Sequence, residues 1–590
     1  MLFFGGLALL LNVLLLGVLW PHKARHEFGA GLWGYMVKAL FLSWFWFLLS
    51  FFTDIGSIAQ ILVGALFVIT AFKFVTDDGL GAPNFGPGAG WRLAAFWGVA
   101  IIMSLPALST LGTTFSGWDA IVSWNRWAIG FTQHSYRPLP AAYPVFWPAI
   151  WSLIYESQGT TLFWFVAKAS LIAPAVLISI YASGKLWGGR FLSGAYLCAS
   201  LYFLLLTAPA LTTGYMDIPV ALMGLAALLF AIDALDAPPD DSRRNDLFLF
   251  AVLTASLAII TKQAGAMFAV AVLIALIYLI ERRELSLRFG AVLIAVMAVP
   301  VATFLWLYLT RRSSVYGNLD HLVNLIDAAR GKQSKVAHAF DILAASQPWV
   351  VFGLLGFGVF FNVVFARSRA GAFGLLCCIM AAIGFFVFAD CCSYQVRNGL
   401  WIYSFILASG WVGIRKLETW GGLSRLGDFI PMPATQNINR FVRGGLIIGY
   451  VVGLLALGAE WPGQRLVLHQ DKALRESNWA NEFLWQHRGL LKKYPVFVSN
   501  YPIAGYLSFA RKKYISCRHT TEACIANYSK AGHFEAGEPI LIFSISFLED
   551  ADSRKFISSA IADGNALILA KQRSGTLLEF RSQGDATPQN

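Results

Sequence analysis

Two acids and a small set of cations stand where long apolar runs give way to polar turns, and these are the residues whose types suit chemistry. The longest such interruption in the first third of the chain is Trp118–Pro148, WDAIVSWNRWAIGFTQHSYRPLPAAYPVFWP. It holds Asp119, Arg126, His134 and Arg137 among aromatics that include Tyr143 and Trp147. A carboxylate at a membrane–water boundary suits proton abstraction from a hydroxyl, or holding a metal. The same Asp119 also suits capping a short amphipathic helix that starts at Ala120, and the sequence leaves these readings open. Asp217, in TTGYMDIP, opens a later apolar run. Two acids from different loops are what a base and an orienting or metal-binding partner require, although Pro219 equally suits Asp217 as a helix cap. Lys262, in TKQAGA, is a compact point charge for an anionic group, or a snorkelling side chain. Arg397, in SYQVRN beside Tyr394, presents a fork that matches phosphate oxygens. Arg126 belongs with these cations, while His134, Tyr143, Glu156 and Tyr394 are further candidates for substrate contact. Glu156 also suits a helix cap.

The elements that must position these residues are membrane helices. Of 590 residues, 57% are apolar and 13% charged, against about 25% charged in soluble domains. Apolar runs are expected near 2–20, 31–53, 56–74, 92–110, 160–182, 191–209, 216–235, 246–262, 264–281, 288–310, 348–366, 371–389, 399–414 and 441–460. The fold class is therefore an all-α polytopic membrane protein of some twelve to fourteen helices. The first run lacks a basic leader and is followed by Lys23 and Arg25, so it reads as an anchored helix rather than a cleaved signal. The net charge of +12 fits the positive-inside rule better than a nucleic-acid face. Alternate loops carry Lys23/Arg25, Lys185/Arg190, Arg243/Arg244, Arg282/Arg283, Arg367/Arg369 and Arg415/Lys416, which places that set in the cytoplasm. Trp118–Pro148, Thr207–Pro219, Arg311–Trp349, Asp390–Asn398 and everything after Pro462 then face outward, although Arg311–Trp349 is itself rich in cations.

Beyond residue 462 the composition turns charged, with strands expected at Val496–Ser499, Lys513–Cys517, Pro539–Ser546, Ala566–Ala570 and Thr576–Arg581. Helices are expected at Phe483–Lys493 and Ser553–Gly564, giving a small α/β extracytoplasmic domain. Cys517 and Cys524 are close enough in sequence to bridge, and two free thiols fit equally well. Cys377 and Cys378 read as core packing, and Cys391 and Cys392 as an outward vicinal pair. Domain boundaries are expected at 1–91 (N-terminal helices), 92–285 (a catalytic module with outer loop 111–159), 286–462 (a second membrane module) and 463–590.

In their order these motifs resemble the GT-C superfamily of integral-membrane glycosyltransferases. The similarity is to the branch of protein O-mannosyltransferases and the aminoarabinose transferase of lipid A. An acid follows an early span (Asp119), its loop runs on through Tyr143–Pro148, a GYxDxP-like element opens a later span (Gly214–Pro219), a TKxxG element follows (Thr261–Gly265), and an outward Arg opens a late span (Arg397). The resemblance covers residues 92–415. It implies an Asp119 base, a supporting Asp217, and a donor phosphate held by Lys262 and Arg397. The donor would be a polyprenyl-phosphate-linked sugar and the acceptor an extracytoplasmic glycan, lipid or protein, at the cell's inner membrane. Three spans precede the family's usual first one, Ala120 stands where a second acid is common, and TKQAG lacks the acid often found after the Lys. These departures leave donor identity and a divalent metal open. The rival reading is a transporter or flippase of lipid-linked sugars, whose charges would lie near the bilayer midplane in repeated, broken helices.

Overall fold

The structure, a computed structural model, describes residues 28–50, 90–108, 120–132, 144–158, 164–187, 191–207, 215–241, 243–311, 331–346, 356, 359–360, 362–363, 368–393, 396–419, 483–484, 486–500, 513–516, 522–530, 538–546, 550–573 and 575–581. Its membrane part comprises α1 (Phe28–Ser50), α2 (Gly90–Leu108), a π-helical turn Ala120–Asn125, α3 (Arg126–Thr132), α4 (Phe146–Gln158), α5 (Trp164–Trp187), α6 (Phe191–Thr207), α7 (Asp217–Asp236), α8 (Arg243–Thr261), α9 (Gly265–Glu281), α10 (Leu287–Arg311), α11 (Lys335–Ser346), α12 (Arg369–Cys391), a 3₁₀ turn Val396–Gly399 and α13 (Leu400–Thr419). Ten expected spans coincide with helices; those at 2–20, 56–74 and 441–460, and most of 348–366, lie outside the described residues. Six described helices are long and apolar enough to cross a membrane. The protein is a multi-pass membrane protein.

Helix α7 is the axis of this part. DIPVALMGLAALLFAIDALD has apolar residues on every face, the pattern of a helix enclosed by others. All of its residues but Asp236 are buried, against α8, α13, α9, α5 and α12. Gly224 allows the Phe268 ring of α9 to lie against α7, where a Cβ would stand 2.2 Å from it. Phe268 in turn stacks on Phe405 of α13 at 4.6 Å. By contrast, α10 and α12 expose Leu305, Trp306, Leu309, Ile379, Ile383 and Phe386. Exposed apolar side chains in this number are unfavourable in water and suit acyl chains.

The C-terminal domain contains α14 (Arg488–Lys493), β1 (Val496–Ser499), β2 (Lys513–Ser516), α15 (Glu522–Lys530), β3 (Pro539–Ile545), α16 (Ala551–Ala562), β4 (Ala566–Gln572) and β5 (Gly575–Arg581). All five expected strands form, in the order β2-β1-β3-β5-β4. β1 runs parallel to both β2 and β3, whereas β5 is antiparallel to β3 and β4. Period-two alternation gives the sheet two apolar faces. Val498, Ile540, Ile542 and Leu578 pack with Ile525 of α15 and Ala560 of α16, while Phe543 of the opposite face lies 5.8 Å from Phe483. Helix α15 was not expected from the sequence; its low apolar content masks it.

Candidate functional site

The N-terminal end of α7 brings Asp217, Lys262 and Arg397 together. Asp217 is the first helical residue, where a negative charge meets the positive end of the helix dipole. It is not the cap, which is Met216 without a side-chain bond, so the capping alternative is set aside. Its Oδ1 accepts from Lys262 Nζ and its Oδ2 lies 3.3 Å from Arg397 Nη1. The acid is buried, and the cations are 12% and 13% exposed, which keeps their heads at the edge of the packed core.

Local structure explains each placement. Lys262 sits in the turn joining α8 to α9, closed by Gly265 N–H donating to Lys262 C=O at 2.8 Å. A Cβ on Gly265 would lie 2.0 Å from the Ala258 carbonyl oxygen, so only glycine permits so tight a return. That is the physical content of the TKxxG spacing. Arg397 lies in the 3₁₀ turn opening α13, whose Ser404 Oγ donates to Ala221 C=O of α7 at 2.8 Å and fixes the two helices together. The Arg397 guanidinium also lies over the Tyr215 ring, 3.6 Å from its centroid. Asn398, buried beside it, accepts from Lys262 Nζ at 3.4 Å.

Tyr215 links this cluster to the first polar loop, since its ring meets Trp124 edge-on at 5.9 Å. Trp124 belongs to the π-helical turn that begins at Ala120, directly after Asp119, and Asn125 of that turn accepts from Tyr155 at 2.5 Å. The short helix expected from Ala120 thus forms as a π turn continued by α3, and π turns concentrate at functional sites. Asp119, His134, Arg137, Tyr143 and Tyr394 lie outside the described residues. Arg126 opens α3 and Glu156 lies in the last turn of α4; the side chains of both are outside the described residues. That last-turn position removes the helix-cap alternative for Glu156, since carboxylates cap N-termini.

Tyr215, Trp124 and Asn398 lie inside the motifs quoted above, yet sequence reading gave them no role; for Tyr215 and Asn398 the signal was closeness to a charged residue at a helix opening. Among the described residues no three His, Cys, Asp or Glu side chains gather as metal ligands. Asp217 supplies a single carboxylate with both oxygens bonded to cations, a poor donor set for a divalent ion. Cys391 and Cys392 are joined as a vicinal disulfide at the end of α12. Cys377 is buried, as core packing predicts, and the Sγ of Cys378 lies 2.9 Å from Ser409 Oγ. Cys524 is disulfide-bonded, while Cys517 lies outside the described residues.

Fold and site together define a multi-pass membrane protein with two cations bridged by one buried carboxylate at a single helix terminus. No family model and no curated protein matches the sequence. Among solved structures the chain is similar to ArnT from Cupriavidus metallidurans bound to undecaprenyl phosphate, at 14% identity and a TM-score of 0.45, covering 83% of this chain and 98% of that one. It is also similar to the oligosaccharyltransferase AglB from Archaeoglobus fulgidus in complex with an inhibitory peptide and a dolichol phosphate, at 13% identity and a TM-score of 0.37, covering 85% and 76%. At these identities the likeness is one of fold.

Proposed function

We propose that this chain is a membrane glycosyltransferase that moves a sugar from a polyprenyl-phosphate donor to an extracytoplasmic acceptor. The observation that carries this reading is the arrangement of Lys262 and Arg397 around Asp217. Two positive charges and one negative leave the trio at a formal charge of +1, in a site whose burial strengthens electrostatic attraction. The donor's phosphate would meet both cations, and they would stabilise the charge that grows on it as the glycosidic bond breaks. Asp217 orients the cations; with both oxygens engaged, it suits a positioning role better than that of a base. Asp119, one residue before the π turn, is the proposed base, taking the proton of the acceptor hydroxyl as its oxygen attacks the anomeric carbon. Arg126, His134, Tyr143, Glu156 and Tyr394 are proposed to shape the remainder of the sugar and acceptor sites.

Helix-end placement favours this reading over a transporter, whose charges would sit at mid-span. Asp217 begins α7, and Lys262 and Arg397 lie in turns. The orientation follows the cation distribution, and the cysteines support it. The bonded Cys391, Cys392 and Cys524 lie on segments assigned to the oxidising outer side, and the free Cys198, Cys377 and Cys378 lie within helices. The C-terminal α/β domain would then help to select the acceptor from outside.

The test is transfer of radiolabelled sugar from a panel of polyprenyl phosphates to a membrane extract by purified protein in lipid. Wild type should release sugar, and Asp119→Asn should lower turnover by about a thousandfold. Movement of intact lipid across a vesicle, without cleavage, would overturn the proposal in favour of a flippase.

A further inference from the structure

We propose that Asn398 is a positioning residue for Lys262, and that the Cys391–Cys392 disulfide sets its position, so that the thiol–disulfide state of this turn governs the phosphate site. The last clause rests on the reading above; the contact with Lys262 does not.

The bonds form a short chain from exposed sulfur to buried charge. Cys391 is exposed and bonded to Cys392, which ends α12 by donating its N–H to Phe388 C=O at 2.9 Å. The Cys392 carbonyl accepts from Asn398 Nδ2 at 3.3 Å, and Asn398 Oδ1 accepts from Lys262 Nζ at 3.4 Å. Chemistry fixes the amide's orientation, because turning it over would set two N–H donors against an ammonium and two oxygens against each other. Asn398 is further anchored through its own carbonyl, which accepts from Trp401 Nε1 at 2.8 Å. The position therefore needs a side chain that donates to the Cys392 carbonyl and accepts from Lys262, which neither an ionised Asp nor Leu can do.

Bonding two neighbouring cysteines closes a small ring that includes the peptide between them, which confines the backbone that presents the Cys392 carbonyl. Reduction opens that ring. The Asn398 amide would then lose its fixed acceptor, and Lys262 would be held by fewer partners. A dithiol protein of the extracytoplasmic space could do this by exchange: its two thiols become a disulfide, the Cys391–Cys392 bond breaks to two thiols, and two electrons and two protons pass across.

Two readouts on the full-length protein in lipid separate this proposal from the functional one. The first is the rate at which a small acylating reagent modifies Lys262, followed by mass spectrometry, with and without a trialkylphosphine. The rate should rise about three- to tenfold on reduction. It should be raised already and indifferent to the phosphine in Asn398→Ala, and indifferent in Cys391→Ser/Cys392→Ser. An unchanged rate in reduced wild type, or a response that survives in either variant, overturns the proposal; survival in the double-Ser protein would assign it to the bridge at Cys524. The second readout is the affinity for undecaprenyl phosphate, which should fall by a similar factor on reduction. If wild type acylation responds as expected but no polyprenyl phosphate binds, the positioning role stands and the phosphate reading fails.

Discussion

The two ends of α7 carry the same residue types and put them to different uses. At its C-terminal end Asp233 accepts from Arg415 Nη1 at 2.7 Å, from Lys185 Nζ at 2.7 Å and from Tyr181 Oη. Arg415 continues to Asp236 at 2.8 Å, Lys416 approaches that acid at 3.5 Å, and the guanidinium lies over Trp411. One turn further along α13, Glu418 accepts from the backbone N–H groups of Leu192 and Ser193 and caps α6. Two acids there share three cations through four ion pairs, and with Glu418 the arrangement ties α5, α6, α7 and α13 together. At the N-terminal end one acid faces two cations. Four ion pairs woven around the buried Asp233 and Arg415 make a staple, whereas two cations that share a single acid at the edge of the core make a site for an anion. Asp217 and Asp233 lie about 24 Å apart along this 20-residue helix, whose length of about 30 Å is that of a bilayer's hydrocarbon core.

Breaking each end should show this difference. Asp233→Ala leaves Arg415 and Lys185 buried without their shared partner, so stability in detergent should fall by about 3–5 kcal/mol while correctly folded protein keeps its donor affinity. A small shift in thermal midpoint would mean that the inner cluster is not a staple. At the other end Lys262→Ala and Arg397→Ala should each weaken donor binding by about 2 kcal/mol, roughly thirtyfold, with a smaller loss of stability than Asp233→Ala. Equal effects of these variants on folding and binding would erase the contrast. Asp217→Asn keeps the shape and removes the charge that orients the cations, so turnover should fall about tenfold; a loss as deep as that of Asp119→Asn would make Asp217 the base instead.

The smallest effect belongs to a third carboxylate, in the water-facing domain. Tyr494 Oη donates to Glu579, which also pairs with Arg581 at 2.8 Å. The Tyr494 hydrogen bond, reinforced by Arg581, holds the Glu579 carboxyl below its usual range, while Tyr494 is pushed up to about 12, by burial first and then by Glu579. For a carboxyl depressed in the folded state, the stabilisation is present above the ordinary carboxylate range and is lost as pH falls through the lowered pKa. Acid titration of wild type against Glu579→Gln should therefore show a difference at neutral pH of about 0.5 kcal/mol or less that shrinks as pH falls below the ordinary carboxylate range and is lost below the lowered pKa. A larger difference would mean that this pair resembles the buried ends of α7 more than its setting in water suggests.

Much of the architecture was legible because it is local. Apolar runs of membrane length predicted α1, α5, α7, α8, α10 and α12, and period-two alternation predicted the five strands, since both patterns depend only on near neighbours. Asp217, Lys262 and Arg397 also stood out singly, as charges at the ends of apolar runs. Asp233 and Asp236 were passed over although two acids within an apolar run are costly in a membrane and must find partners. Those partners, Lys185 and Arg415, lie on helices far away in sequence.

Residue type and spacing thus determined a polytopic membrane chain, a small α/β domain, and an acid with two cations at helix ends. Only the tertiary structure decided that Asp217 is engaged by both cations, that Asn398 stands between Lys262 and a vicinal disulfide, and that the opposite end of α7 closes in a network of four ion pairs. Span and strand are set by neighbours along the chain. Pairing across 45 and 180 residues is set by how α7, α9 and α13 pack.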